Sequence, residues 1–215
     1  MAPNPKQSEQ WSGEFGRQYT DRNPHTPAAM DELHLHNFGV TRTALNREFL
    51  ADLDPASRIL EVGANVGAQL ALLRDLGFHR LYGVELQFYA IQQSREHAPG
   101  LHLVQASAFD LPFPDRSFDL VFTSGVLIHL SPETIGRALD EIRRCTRRYI
   151  WGWEYFAEEY RQIPYRGHED LLWKGDFAAM YRERFPGLRC AKEKRVPYLE
   201  GGNVDTMFLL EAGAD

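Results

Sequence analysis

A doubly wound α/β sheet of Rossmann type is the fold class this sequence predicts, and three observations predict it. Strand-like and helix-like segments alternate from Arg58 onward. The first strand runs straight into a glycine turn, Ile59-Leu60-Glu61-Val62-Gly63-Ala64-Asn65-Val66-Gly67-Ala68. The second closes on a carboxylate, Leu81-Tyr82-Gly83-Val84-Glu85. A buried strand, a tight turn, a helix and a second strand ending in an acid form the unit with which such sheets hold an adenosine-bearing ligand.

The elements follow in order. Residues 1–9 are polar and predict a frayed end. The stretch 10–23 is too polar for a core strand and too aromatic for a tail, with Trp11, Phe15 and Tyr19 among glycines, so it is expected to fold over something. Pro24 and Pro27 interrupt the chain before a helix expected over 29–50, where Leu33, Phe38, Leu45 and Phe49 recur at broadly helical spacing. Residues 1–54 are thus expected to form an arm and helix covering the cofactor site, with the sheet domain over 55–215.

Strands are expected at 58–63, 81–86, 101–106, 118–124 and 149–153. The helix 66–76 stops at Gly77, and the helix 89–97 stops before Pro99-Gly100. Pro132 and Glu133 suit the first turn of a helix that Ser131 caps. A helix near 176–184 and segments 190–198 and 205–211 complete the chain as a closing hairpin. Right-handed crossovers then make the sheet doubly wound.

Charge selects among the adenosine cofactors. A dinucleotide fingerprint wants glycine where this chain has Asn65, so that the backbone can approach a pyrophosphate. Glu61, two residues before Gly63, would repel a pyrophosphate and attract a sulfonium and an ammonium. S-adenosylmethionine (SAM) is therefore favoured over NAD. Glu85 suits ribose hydroxyls in either case.

Composition narrows the partners. The chain has 215 residues, 43% of them hydrophobic, enough for one α/β domain with elaborations. A net charge of −6 argues against a nucleic-acid substrate, since phosphate binding draws on Lys and Arg. The basic residues Arg143, Arg144, Arg147 and Arg148 fit a solvated helix face. Cys145 and Cys190 have neither metal-ligand nor disulfide spacing, and no segment has the apolar length of a signal peptide or membrane span. A soluble cytoplasmic enzyme with a small-molecule substrate, no bound metal, no nucleic acid and no membrane is the expectation, its oligomeric state open.

The motifs resemble class I SAM-dependent methyltransferases, whose sheet has seven strands with the last antiparallel. Trp11-Ser12-Gly13-Glu14-Phe15-Gly16, Glu61-Val62-Gly63-Ala64-Asn65, the run from Phe118 to Leu130 and Tyr165-Arg166-Gly167-His168 together resemble the pseudaminic acid biosynthesis-associated methylases. The resemblance implies that Gly63, Asn65 and Gly67 wrap the methionine and ribose side of SAM and that Glu85 and the adjoining Leu86 bind at the ribose. It implies an adenine turn at Ser107, Ala108 and Phe109, with Ser107 standing where many relatives have aspartate. Gln87 and Phe88 fit either a flank for the adenine ring or a plain strand-to-helix connection. Ser124 closes the strand that opens onto the transferred methyl group. No Asn/Asp-Pro-Pro-aromatic sequence follows it, which disfavours base-amine methylation.

Methyl transfer is an in-line displacement that needs a close, aligned, dry acceptor and sometimes a base. His129 is placed by sequence to be that base, or else to be a structural histidine bonded to backbone. Glu154 shares the same rim of the sheet, and Tyr165 is a third candidate catalytic group. Tyr155, Arg166 and His168 of the insertion 155–175 are candidate substrate contacts. Trp11 and Tyr19 are expected over the methionine end of SAM, where an aromatic face favours a sulfonium. Three other readings stay open: a SAM-consuming cyclase or lyase releasing methylthioadenosine, a non-catalytic SAM-binding protein, and an NAD-dependent oxidoreductase.

Overall fold

The computed structural model describes residues 5–213. Seven strands form one sheet in the order β3-β2-β1-β4-β5-β9-β8. They are β1 (Arg58–Val62), β2 (Arg80–Glu85), β3 (His102–Gln105), β4 (Phe118–Ser124), β5 (Thr146–Tyr155), β8 (Leu188–Pro197) and β9 (Val204–Ala212). Pairing is parallel from β3 through β5, and β9 runs antiparallel to both β5 and β8. The seven-stranded fold with its last strand antiparallel is the one expected.

Alternation along each strand builds two cores. Leu60 and Val62 of β1, Val121 of β4, Ile150 of β5 and Phe208 and Leu210 of β9 face one layer, packed under α7 (Ile135–Cys145) and α8 (Phe177–Arg184). Ile59, Leu120, Phe122, Trp151, Trp153, Met207 and Leu209 face the other, under α4 (Arg42–Phe49) and α5 (Ala68–Asp75). The strand order reverses between β1 and β4, which opens a crevice at their C-terminal ends. A further helix, α6 (Phe88–His97), connects β2 to β3.

Several boundaries differ from expectation, each for a local reason. Residues from Pro5 are not frayed: α1 (Pro5–Ser12) and α2 (Glu14–Arg22) are helices held down by the body of the protein. Residues 1–4 lie outside the described residues. The single helix expected over 29–50 is two, α3 (Pro27–Phe38) and α4, because Gly39 adopts φ 70° and Thr41 caps a new start by accepting from the Ala44 N–H. Ser131, Pro132 and Glu133 form a turn ahead of α7 rather than its first turn, leaving Thr134 at the helix boundary. Arg147 and Arg148 belong to β5 and pair with Asp119 and Glu211, so the basic cluster is not one helix face. The insertion forms a two-stranded ribbon, β6 (Arg161–Gln162) with β7 (Trp173–Lys174).

Candidate functional site: a covered crevice at the sheet switch point

A cavity of about 390 Å3 opens at the C-terminal ends of β1, β2, β4 and β5 and is roofed by α1, α2 and α3. The β1 turn makes its floor. Gly63 takes φ 77°, and a Cβ there would lie 2.5 Å from Val126 Cγ2, so only glycine lets the chain turn this tightly beneath the cavity. Asn65 also has positive φ, at 47°. Gly67 heads α5 and does not line the cavity.

Glu85 reaches back to this turn. Its Oε2 accepts the Asn65 N–H at 2.8 Å and its Oε1 the Gln87 N–H at 2.8 Å, leaving a lone pair on each oxygen for a pair of hydroxyls. Burial raises its pKa, and the N–H groups of Gln87, Asn65 and Leu86 oppose that. Glu61 is more extreme. It is 3% exposed and its Oε2 has no partner. Burial holds its pKa well above the ordinary carboxylate value, with Arg42 opposing. Asn65 Oδ1 and both amide atoms of Gln69 are likewise buried without partners at this wall. Buried polar groups without partners are rare in native proteins, so their concentration on one cavity wall marks where a polar ligand supplies the missing bonds.

Leu86, Ser107, Ala108, Phe109 and Ser124 also line the cavity. The Ser107 hydroxyl accepts the Phe109 N–H at 3.2 Å, which fixes the turn after β3. Gln87 lines the cavity, and its Nε2 donates to the carbonyls of Trp11, Ser12 and Gly13 at 3.3, 2.9 and 3.0 Å, one hydrogen being shared, and so clamps the arm onto the crevice, while Phe88 is exposed. Removing that clamp in Gln87→Ala is expected to weaken cofactor binding about tenfold, as about two hydrogen bonds are exchanged for water, and to speed tryptic cleavage at Arg17 and Arg22. Equilibrium dialysis and a digestion time course check this.

His129 sits under the arm. Its ring is 4.3 Å from that of Trp11, 5.9 Å from Tyr19 and 5.8 Å from Tyr165 between centroids. Its Nδ1 donates to the Leu171 carbonyl at 2.7 Å, which leaves Nε2 as the acceptor nitrogen of a neutral ring. Burial lowers its pKa to about 4. Trp11, Tyr19 and Tyr165 line the cavity beside it, and the Gln7 amide ties α1 to the His129 carbonyl at 2.5 Å.

Glu154 lies beneath the cavity and does not line it. Its oxygens accept the N–H groups of Val126 at 3.2 Å and Ile128 at 3.4 Å, so it orients the turn that carries His129. Burial pushes its pKa up to about 7. Of the insertion residues, Tyr155 lines the cavity, whereas Arg166 and His168 do not. Arg166 is exposed, and His168 packs against Phe15 and Gln10 of the arm. The reason is the Tyr165–His168 bridge, which turns that loop onto the arm instead of inward.

Sequence reasoning missed the far half of the cavity: His34, Asn37 and Phe38 of α3, Trp153, Tyr198 and Asp205. It also missed Arg42, wholly buried beneath the site. Asp205 reaches the site because the β5–β9 register sets it opposite Tyr155. Only an antiparallel register shows this; the sole sequence signal is a lone acid opening a hydrophobic strand.

A parallel sheet with one antiparallel strand, a glycine turn and two acids at the ends of β1 and β2 give the chain the fold of the class I SAM-dependent methyltransferases. Residues 60–149 match the family model described as a methyltransferase domain. The chain is 33% identical over 153 residues to the probable phthiotriol/phenolphthiotriol dimycocerosates methyltransferase 2 of Mycobacterium ulcerans, covering 63% of this chain and 56% of the relative. It is 30% identical over 165 residues to the demethylmenaquinone methyltransferase of Beutenbergia cavernae, covering 72% and 66%. The chain thus spans less than two thirds of the length of either relative. The 1,6-didemethyltoxoflavin-N1-methyltransferase of Burkholderia thailandensis, solved with 1,6-didemethyltoxoflavin and S-adenosylhomocysteine bound, has the same fold: TM-score 0.68, 17% identity, 100% of this chain and 92% of that one covered. Residues 60–149 thus match a methyltransferase domain within a fold shared with SAM-dependent methyltransferases, and SAM is the cofactor these findings support. Glu61, Asn65 and Gln69 offer the unpartnered polar atoms, and Glu85 the hydroxyl acceptor, that this cofactor's ammonium, carboxylate and ribose require.

Proposed function

We propose that the protein transfers a methyl group from SAM to a small polar metabolite of the sugar, amino-sugar or amino-acid-like kind, in keeping with its resemblance to the pseudaminic acid biosynthesis-associated methylases. The supporting observation is that one cavity runs from the cofactor wall at Glu61 and Glu85, past Ser124, to a second polar end at Asp205, Tyr155 and Tyr198. Bound SAM supplies an electrophilic methyl on a sulfonium. The chain supplies confinement. The arm, clamped by Gln87 and Gln7, keeps water from the reacting centre, and Glu154 fixes the turn that presents His129. The neutral His129 offers Nε2 to accept a proton from an acceptor hydroxyl or ammonium.

A roofed cavity of this size suits a small molecule in a soluble, cytoplasmic setting better than a nucleic acid or a membrane lipid. Among the described residues no helix is long and apolar enough to cross a membrane. The methyltransferase names of the relatives favour transfer over self-cyclisation of SAM. The test is to incubate the protein with SAM, with and without a panel of sugars, amino sugars and amino acids, and to follow products by mass spectrometry. S-adenosylhomocysteine formed only with an acceptor is the expected result. Methylthioadenosine released from SAM alone would overturn it in favour of a cyclase, and tight SAM binding without turnover would favour a non-catalytic binding protein.

A further inference from the structure

We infer that the acceptor carries a protonated amino group and that Asp205 is the residue that holds it; this rests on the methyltransferase reading above. Among the described residues the cavity is lined by three carboxylates, Glu61, Glu85 and Asp205, and by no Lys or Arg. The first two belong to the cofactor wall. Asp205 stands at the other end, 1% exposed, with its Oδ1 buried and unpartnered. Its remaining bonds come from the Trp153 indole and the Tyr198 hydroxyl.

An anionic acceptor would enter facing three acids with no cation among the described lining residues, which costs too much in a poorly hydrated space. A neutral alcohol would satisfy one lone pair of Asp205 and form no ion pair with it. An ammonium supplies both a donor and the charge, and the rings of Trp153, Tyr155 and Tyr198 add favourable faces. The groups facing Asp205 are Arg42 of α4, Lys174 of β7, Trp153, Glu154 and Tyr155 of β5, and Tyr198 just after β8, while His34 of α3 lines the same cavity. Neither cation lines the cavity: Lys174 donates to Asn203 at 2.5 Å and lies over the Tyr155 ring, and Arg42 lies behind the wall, donating to Asn46 and Ser124 with its Nη1 buried and unpartnered. Burial, then Glu154, pushes the Asp205 carboxyl up to about 8, with Arg42 and Lys174 opposing. A cation arriving near pH 7 therefore displaces about one proton from it.

The experiment uses the full chain saturated with S-adenosylhomocysteine, whose binding is measured first, and three probes with one body: 2-phenylethylamine, 2-phenylethanol and 3-phenylpropionate. Titration calorimetry in phosphate and in Tris should show the amine binding about tenfold more tightly than the alcohol, with the carboxylate weakest and a proton released only by the amine. Asp205→Asn should bring the three within about threefold and abolish the proton release. The wild-type comparison stands without any variant. Alcohol or carboxylate binding as tightly as the amine, no amine binding, or a preference that survives Asp205→Asn overturns the inference. Failure to bind S-adenosylhomocysteine at all would instead fail the cofactor reading beneath it.

Discussion

Glu61→Gln is expected to make the free protein more stable and the SAM complex much weaker. Glu61 is buried, one of its oxygens has no partner, and burial outweighs Arg42 in setting its raised pKa. A carboxyl with a raised folded-state pKa loses stability as pH climbs from its ordinary value through the folded one. Glutamine does not titrate, so the variant should melt higher than the parent at neutral pH, and the gap should close toward pH 4. The cofactor's ammonium reverses the sign. With SAM bound the charge of Glu61 has its counter-ion, and removing one partner of a desolvated pair costs about 3 kcal/mol, roughly a hundredfold in Kd. Thermal melts across pH and calorimetry with SAM read the two halves separately. Unchanged SAM affinity would place the ammonium elsewhere.

What the sequence made legible is what depends on local pattern. The bounds of β4 are those expected to the residue, because the apolar block of Phe118, Leu120, Val121 and Phe122 is closed by Thr123 and Ser124 ahead of Gly125. The β1 turn and Glu85 were visible because a strand end, a glycine and an acid are close in sequence. What stayed hidden depends on distant contact. Gln87 read either as a flank of the adenine ring or as a plain connection, and neither reading foresaw that its amide finds three carbonyls some 75 residues away, in the arm. Glu154 sits on the expected rim but turns beneath it, since two backbone N–H groups of the next loop need an acceptor there. Arg166 and His168 carry inviting chemistry and are turned away by a local bridge. Asp205 and His34 required knowledge of how an antiparallel strand and an outlying helix meet.

Arg42 is the strongest case of such hidden design, and Arg42→Met is expected to cost about 3–5 kcal/mol of stability. The side chain is 0% exposed. Its Nε donates to Asn46 at 3.1 Å, its Nη2 to Ser124 at 3.2 Å, and its guanidinium lies 4.8 Å from the Trp153 ring centroid. Burial lowers its pKa to about 9, while Glu61, Asp205, Glu154 and Asp31 pull it back up. It is the cation around which these buried acids are arranged. Methionine fills the space and keeps the ring contact, so a loss in stability reports charge rather than a cavity. Glu154 and Asp205 have pKa values raised to about 7 and about 8, so both are largely neutral at pH 6, while at pH 8 Glu154 is charged, Asp205 about half so and Arg42 still mostly protonated. Without Arg42 those charges face each other uncompensated. The deficit in urea unfolding should therefore be larger at pH 8 than at pH 6, and Arg42→Lys should fall between, since an ammonium keeps the charge but not the fork that spans Asn46 and Ser124. An equal deficit at both pH values would mean that Arg42 acts by its packing and its hydrogen bonds to Asn46 and Ser124, and that the acids of the cavity are held apart by something other than its charge.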